Sequence, residues 1–225
     1  LAALGVAAWV VPAAPPTPPS IGKIPFRTVL MHPDLLRLNL GVFTLHLIQV
    51  ALFVVVPATL VRIGGLDAST LWRVYLPVIV VSFLVMVPII GVTERFSTHR
   101  QTMRGAVGAL LLVCIGLIWA QAHYVALVIA LTAFFSVFNV LEAMQPSLVS
   151  RVAPPTVKGL ALGFYNTSQA AGLFAGGALG GYLSSQVSSS AVYVLAAVLA
   201  VIWLIATWRL TPLPPRRTAR QAAAS

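Results

Sequence analysis

Long apolar runs divide this chain into segments that are each long enough to cross a lipid bilayer. A spanning helix needs about 20 mainly apolar residues. Runs of about this length occupy residues 38–61, 72–93, 105–122, 124–144, 159–184 and 191–208, and a shorter run covers residues 1–11. We expect the short run to be the end of a truncated helix. The pattern predicts an all-α membrane protein.

Composition supports this prediction and narrows the class further. Apolar residues make up 59% of the chain and charged residues only 8%, whereas soluble domains carry about 25% charged residues. The first residue is Leu1, and it lies inside an apolar run without a basic region before it or a clear cleavage site after it. We therefore expect a fragment of a longer protein rather than a signal peptide. The lone Cys114 predicts neither an internal disulfide nor a metal site.

The basic residues alternate between the two ends of the predicted spans. Twelve lie in alternate connections and two lie in the others: Lys23, Arg27, Arg37, Arg95, Arg100, Arg104, Arg151, Lys158, Arg209, Arg216, Arg217 and Arg220 against Arg62 and Arg73. The positive-inside rule places the richer side, and with it the C-terminus, in the cytoplasm of a bacterial inner membrane. Short basic loops beside membrane spans suit anionic lipid headgroups, and they argue against nucleic-acid binding.

Polar and aromatic residues share one face of the predicted helix 38–61. At about 100° per residue, Phe43 and His46 fall within about 80° of Asn39, and Gln49 flanks them. A polar group that faces lipid costs several kcal/mol, so this face is predicted to meet protein or a water-filled cavity. His46 is either a protonatable cavity residue or an interhelical hydrogen-bond partner.

A second mixed face follows the predicted helix 124–144. It contains Phe135, Ser136, Asn139 and Glu142, which fall within about 120° of one another. A cavity for amphipathic molecules needs such a mixture of apolar walls and a few polar groups. Packing between helices with polar contacts is the alternative.

Glycines mark one face of the predicted helix 159–184. The face contains Gly159, Gly163, Gly172, Gly176 and Gly180. Small residues repeated at every fourth position let two helix backbones approach closely. This face is therefore predicted to pack tightly against another helix.

Acidic and basic residues are predicted to cluster at the cytoplasmic ends of the helices. Glu94, Arg95 and Arg100 belong to one connection, while Glu142 and Arg151 flank the end of another span. We expect Glu142 to lie at the membrane edge and to pair with Arg95 or Arg100, with Arg151 as a further partner. Such a pair is a candidate cytoplasmic gate.

Four stretches together resemble the C-terminal half of a Major Facilitator Superfamily transporter. LRLNLGVFTLHLIQVALFVVVP is similar to helix 7 of the proton-coupled drug-efflux branch, of the YajR type. TERFSTHRQ resembles the second copy of the family's motif A, although Ser97 and Thr98 stand where that motif has glycine. FNVLEAMQPSLVSRVAPPTVKG resembles the end of helix 10, and GLALGFYNTSQAAGLFAGGALGGYL resembles the glycine-rich helix 11.

The resemblance implies an organisation and a function. Residues 1–11 would end helix 6, residues 12–37 would form the central cytoplasmic linker, residues 38–210 would form the six-helix bundle of helices 7–12, and residues 211–225 would be a basic cytoplasmic tail. It implies a secondary transporter that exports small amphipathic molecules by alternating access. The proton gradient would drive it without a cofactor or a metal, and its partners would be the lipid bilayer, the small-molecule substrate and the missing N-terminal bundle.

Two other classes of function are weighed against transport. An intramembrane enzyme needs an acid pair, a metal-binding set or a Ser/His pair, and no such set is visible among the four acids and four histidines. The chain is therefore not expected to be an enzyme. The remaining alternative is a transport-inactive family member that serves as a membrane scaffold or receptor.

Overall fold

The computed structural model describes residues 31–211 together with Arg27. The predicted segment 1–11, most of the linker 12–37 and nearly all of the tail 211–225 lie outside the described residues. Within residues 31–211, six long α-helices follow one another without a strand: α1 Pro33–Gly64, α2 Trp72–Phe96, α3 His99–Ala120, α4 Tyr124–Val152, α5 Lys158–Gln186 and α6 Ser189–Trp208. Short 3₁₀ turns, Ala68–Thr70 and Pro155–Val157, precede α2 and α5. The predicted all-α bundle is confirmed.

Several helix boundaries differ from the prediction, and proline explains two of the differences. α1 begins at Pro33 rather than at Leu38, since proline fits the first turn of a helix. The predicted linker therefore ends before residue 33. α4 continues through Pro146 to Val152 instead of ending near Met144. Membrane helices tolerate an internal proline because neighbouring groups satisfy the freed backbone carbonyl.

Five helices of the described part are long and apolar enough to cross a membrane, and α5 is the helix that is not among them. The glycines and polar residues of α5 lower its hydropathy. Its 29 residues nevertheless extend about 43 Å at 1.5 Å per residue, which exceeds the thickness of a bilayer core. Its low hydropathy therefore reflects packing needs rather than a short length.

α1 is the central helix of the bundle. It packs against α4, α5 and α6, and its most extensive contact is with α5. α2 lies at the edge and buries only Val74, Val78, Ser82 and Thr93. The described chain therefore leaves most of α2 uncovered.

A seam of glycines joins α5 to α1. Gly172, Gly176 and Gly180 lie against the backbone of Phe43, Leu47 and Ala51, respectively, so the two helices run in the same direction. A methyl group placed on Gly176 would lie 2.5 Å from the Leu47 carbonyl oxygen, which leaves no space for a side chain. Gly159 and Gly163 have no neighbouring atom within 4 Å of such a group. The close packing predicted for the glycine face therefore begins only at Gly172.

Candidate functional site

His46 lies inside the bundle near the middle of α1. Only 4% of the His46 surface is exposed. His46 lies thirteen residues beyond Pro33, which is about 20 Å along the helix. The Nδ1 atom lies 2.9 Å from the Val42 carbonyl oxygen. A carbonyl oxygen can only accept, so Nδ1 carries the hydrogen. In the neutral ring, Nε2 is then the acceptor.

Gln169 supplies the donor for that acceptor. Its Nε2 lies 2.7 Å from His46 Nε2 and 3.3 Å from Glu142 Oε1. A side-chain amide carries two hydrogens and can donate both bonds at once. Gln169 lies three residues before Gly172, and His46 lies three residues after Phe43. Because the two helices are parallel, the two long side chains bridge an offset of about six residues, roughly 9 Å, along the helix axes. This set of His46, Gln169 and Glu142 is called the central triad below.

Glu142 lies deeper in the bundle than predicted. It is ten residues, about 15 Å, before the end of α4 at Val152. Its Oε2 atom is 3.5 Å from His46 Nε2, and 35% of its side chain is exposed. α4 continues for more than two turns beyond Glu142, so Glu142 does not end the helix as predicted. Its described partners are His46 and Gln169, and no arginine is among them.

The central triad allows two hydrogen-bonding arrangements, one for each charge state of the imidazole. When His46 is neutral, Nε2 accepts from Gln169 while Glu142 Oε2 remains nearby. When His46 is protonated, Nε2 becomes a donor, and the Glu142 carboxylate is the acceptor in its direction. Gln169 must then turn its carbonyl oxygen toward the ring or move away. Protonation therefore changes contacts among three different helices.

Aromatic rings extend from His46 along one side of the bundle. The ring of Phe138 meets His46 edge-on, with 5.6 Å between centroids. Phe135 contacts Phe138 and also Phe53, which stacks on Tyr75 at 6.0 Å. Phe53 is 43% exposed. A row of packed aromatic rings therefore continues from the central triad to the start of α2, buried at Phe135 and Phe138 and exposed at Phe53.

The other predicted cavity residues lie on different faces. Phe43 and Gln49 are half-buried on α1, one turn on either side of His46. Asn139 donates to Ser82 of α2, with 2.9 Å between Nδ2 and Oγ. Ser136 donates to the Thr132 carbonyl oxygen and lines an apolar groove on another face of α4. Ser136 is therefore not brought together with His46.

A separate ionic cluster lies at the predicted cytoplasmic end. Arg151 Nη2 donates to both carboxylate oxygens of Glu94, at 3.0 and 3.2 Å. His99 Nε2 lies 3.3 Å from Glu94 Oε1. The Arg151 side chain is only 16% exposed, so its pair with Glu94 is more sheltered than an ordinary surface ion pair. The cluster links the ends of α2 and α4 with the start of α3.

No described hydrogen bond or ion pair joins Arg95 or Arg100 to the pair of Glu94 and Arg151. Arg95 is exposed, and its guanidinium carbon lies 5.5 Å from the centre of the Phe96 ring. Arg100 borders a cavity of about 20 Å³ that Asp34 and Thr211 also line. The pairing predicted between Glu142 and these arginines is corrected: Arg151 pairs with Glu94 instead.

Sequence reasoning missed two partners in these sites. Gln169 lies on a helix whose sequence pattern points only to glycine packing, and its meeting with His46 depends on how α5 lies along α1. Asp34 accepts from Thr211 and from Arg37, with 2.7 Å to Arg37 Nη1. This contact joins the start of α1 to the end of α6. The only sequence signal for it is an acid in the first turn of a helix.

Comparisons with known proteins agree with this architecture. The family model described as Major Facilitator Superfamily matches residues 38–225. The inner membrane transport protein YajR of Escherichia coli (strain K12) is 37% identical over 179 residues, which cover 80% of this chain and 39% of that protein. An uncharacterized transporter of Buchnera aphidicola subsp. Baizongia pistaciae is 26% identical over 181 residues, which cover 80% of this chain and 46% of the relative.

A third relative extends the same pattern. An uncharacterized transporter of Buchnera aphidicola subsp. Acyrthosiphon pisum is 31% identical over 140 residues, which cover 62% of this chain and 36% of the relative. The chain spans less than half the length of each of these curated relatives. The matched region contains nearly all of the six described helices. The chain belongs to the Major Facilitator Superfamily.

Proposed function

We propose that this chain is the C-terminal half of a proton-coupled transporter that exports small amphipathic organic molecules by alternating access. The observation that carries the proposal is the central triad, in which a buried imidazole, an amide and a partly exposed carboxylate meet. Ionisable groups inside a membrane bundle are costly, and they are retained where they serve ions, protons or substrates. The triad couples a single proton to contacts between α1, α4 and α5.

The chemistry of the surroundings supports an amphipathic substrate. The aromatic row offers apolar contact at its exposed ring, Phe53, while the partly exposed Glu142 offers a charge near the other end of the row. Pockets for small organic molecules combine apolar walls with a few polar groups in this way. Export as the direction of transport rests on the resemblance of α1 to the drug-efflux branch.

The exposed helices support a second bundle as the partner. α2 carries exposed apolar side chains over most of its length and buries few of them. In alternating access, two bundles rock about a site between them. We assign the cytoplasmic gate to Glu94 and Arg151, and we assign the protein to the bacterial inner membrane, the location in the name of its Escherichia coli relative.

Dye export by the full-length protein tests the proposal. Cells that overproduce it are loaded with ethidium, and the loss of fluorescence is followed with and without a proton gradient. We expect gradient-dependent export, and we expect Glu142→Gln and His46→Gln to slow it at least tenfold, because neither variant can form the charged pair. Asp67→Asn is the matched control, since Asp67 is an exposed acid in a loop far along the chain from the triad.

The outcomes separate proton coupling from transport itself. Export that continues at the wild-type rate in Glu142→Gln, or without a proton gradient, would contradict proton coupling at the triad. If ethidium is not exported, a panel of neutral and acidic amphipathic dyes tests the substrate class. Failure of every dye to move under a gradient would favour the scaffold or receptor alternative.

A further inference from the structure

An apolar groove follows the outer side of α4, away from the central triad. Its volume is about 310 Å³, and it lies between α2, α3 and α4. Its lining consists of Val85, Ile89, Thr102, Gly105, Ala106, Ala109, Ser136, Val137 and Val140. This set of residues is called the outer groove. A groove of this size on a membrane-spanning surface needs an occupant.

The outer groove and the central triad lie on nearly opposite faces of α4. At 100° per residue, the mean direction of Ser136, Val137 and Val140 lies about 170° from that of Phe135, Phe138 and Glu142. The triad faces α1 and α5, whereas the groove faces away from both. A substrate bound at the triad therefore cannot reach the groove without passing through α4.

The floor of the outer groove is made of small residues on α3. A methyl group placed on Gly105 would have no neighbouring atom within 4 Å, so the space beside it is open. Val85 and Ile89 form the α2 wall and are 40% and 38% exposed. α2 and α3 are consecutive, yet they touch only slightly along their length. The groove is the space that this divergence leaves.

An exposed cation lies beyond the groove along α2. Phe96 lies seven residues beyond Ile89, about two helical turns along the same face of α2, and it is 63% exposed. The guanidinium carbon of Arg95 lies 5.5 Å from the centre of the Phe96 ring. Between the groove and this ring, the hydroxyl of Thr93 on α2 and that of Thr102 on α3 lie 2.9 Å apart. The apolar groove is thus followed along α2 by two hydroxyl groups and then by a cation.

A similar arrangement occurs at the opposite end of the same helices. A second groove of about 280 Å³ lies between α2 and α4, and the exposed Arg73 is part of its lining. Two apolar grooves thus follow one another along α2 and α4. Arg73 lines the second groove, and Arg95 lies six residues beyond Ile89 of the outer groove. A bilayer has the same order in each leaflet, with phosphate outside and acyl chains inside.

We propose that the outer groove binds an anionic phospholipid of the cytoplasmic leaflet. One acyl chain lies between α2 and α3 over Gly105 and Ala109, and the phosphate lies against the Arg95 guanidinium. Arginine binds phosphate oxygens through paired N–H donors, which a free hydrocarbon or a detergent without a charge cannot use. Basic residues at the cytoplasmic surface also attract anionic lipids in particular.

Native mass spectrometry of the full-length protein tests this assignment. The protein is purified in a neutral detergent, phosphatidylglycerol is added, and the fraction that retains a lipid is measured. We expect Gly105→Leu to fill the groove and Arg95→Gln to remove the phosphate contact, each lowering that fraction at least fivefold. Inorganic phosphate should not compete, because it lacks the acyl chain.

Two matched variants control for changes that are not specific to the groove. Gly116→Leu adds the same side chain at another open glycine of α3 beyond the groove, and Arg209→Gln removes another exposed cytoplasmic arginine. Both should retain lipid as the wild type does. If Gly105→Leu does not fold, Ala109→Leu replaces it. Unchanged lipid retention in the groove variants, or an equal loss in Arg209→Gln, would overturn the proposal.

Discussion

Gln169 and His46 meet across the α1–α5 interface with 2.7 Å between their Nε2 atoms. The meeting depends on register, because the contacts of the glycine seam place Gln169 about six residues, roughly 9 Å, behind His46 along the parallel helices. A shift of α5 by one turn, about 5.4 Å, that increases this offset would break the contact. The seam and the hydrogen bond therefore stabilise the same alignment of the two helices.

A double-mutant cycle between His46 and Gln169 measures this contact. We expect His46→Ala and Gln169→Ala to show a coupling of about 1 kcal/mol in the free energy of unfolding, since each removes the partner of the other. The measurement is denaturant unfolding of the full-length protein in detergent. Ser168 bonds to the Phe164 carbonyl of its own helix, so Ser168→Ala should be additive with His46→Ala. Additivity for Gln169 as well would contradict the contact.

The glycine seam predicts a difference between two neighbouring positions of α5. Gly176→Ala should destabilise the protein by about 1–3 kcal/mol, because its methyl group would overlap the Leu47 carbonyl. Gly181 has open space within 4 Å, so Gly181→Ala should be neutral or stabilising by up to about 1 kcal/mol. Thermal unfolding of both variants compares them directly. Equal melting temperatures would show that the seam is not tightly packed.

The end of α2 carries backbone strain that a single substitution should release. Ser97 has φ 54° and ψ 33°, a left-handed conformation that favours glycine. Ser97→Gly should therefore stabilise the protein by about 1 kcal/mol. Gly65 has a similar conformation and open space around it, so Gly65→Ala should destabilise by a similar amount. Melting temperatures that rise in both variants, or fall in both, would contradict this account.

The ionic cluster predicts which acid depends on Arg151. A cycle of Glu94→Gln and Arg151→Gln should give a coupling of about 1 kcal/mol, the upper part of the range for accessible pairs. The pair is bonded at 3.0 Å, whereas no described contact joins Glu142 to Arg151. The cycle of Glu142→Gln and Arg151→Gln should therefore be additive. Coupling in the second cycle and none in the first would restore the pairing expected from the sequence.

The orientation of the chain can be tested with single cysteines in the full-length protein. We expect Ser69→Cys and Ser188→Cys to react with an impermeant thiol reagent only from outside, and Ser97→Cys only from the cytoplasm, because the basic residues lie at the opposite end from the first two. Cys114 is 0% exposed and provides the unreactive background. Reaction of Ser188→Cys from the cytoplasm alone would reverse the predicted topology.

The six helices were predictable because a helix that crosses a lipid bilayer needs a long run of apolar residues. The tight contact of Gly172, Gly176 and Gly180 also follows a local spacing that sequence shows. The partners of Glu142 could not be predicted from the sequence, because they depend on the register between α5 and α1. The sequence of neither helix alone determines that register. Glu142 was expected to pair with Arg95 or Arg100 because both connections were predicted to lie at the same end of the bundle.

The faces of α4 show a second limit of sequence reasoning. Ser136 and Asn139 fit one broad polar stripe, but a hydroxyl group can bond to its own helix and then lie on an apolar surface. Ser136 does so through the Thr132 carbonyl, whereas the Asn139 amide reaches Ser82 on a neighbouring helix. The stripe therefore contained one residue of the interior and one of the outer groove.

Pro146 divides α4 into two mechanically distinct parts. A proline nitrogen has no hydrogen, so it cannot bond to the carbonyl four residues earlier, which is that of Glu142 itself. The helix is therefore easiest to bend between the carboxylate that faces His46 and the guanidinium that holds Glu94. A hinge at this position would let the Arg151 end of α4 tilt while the Glu142 end stays in place against α1 and α5.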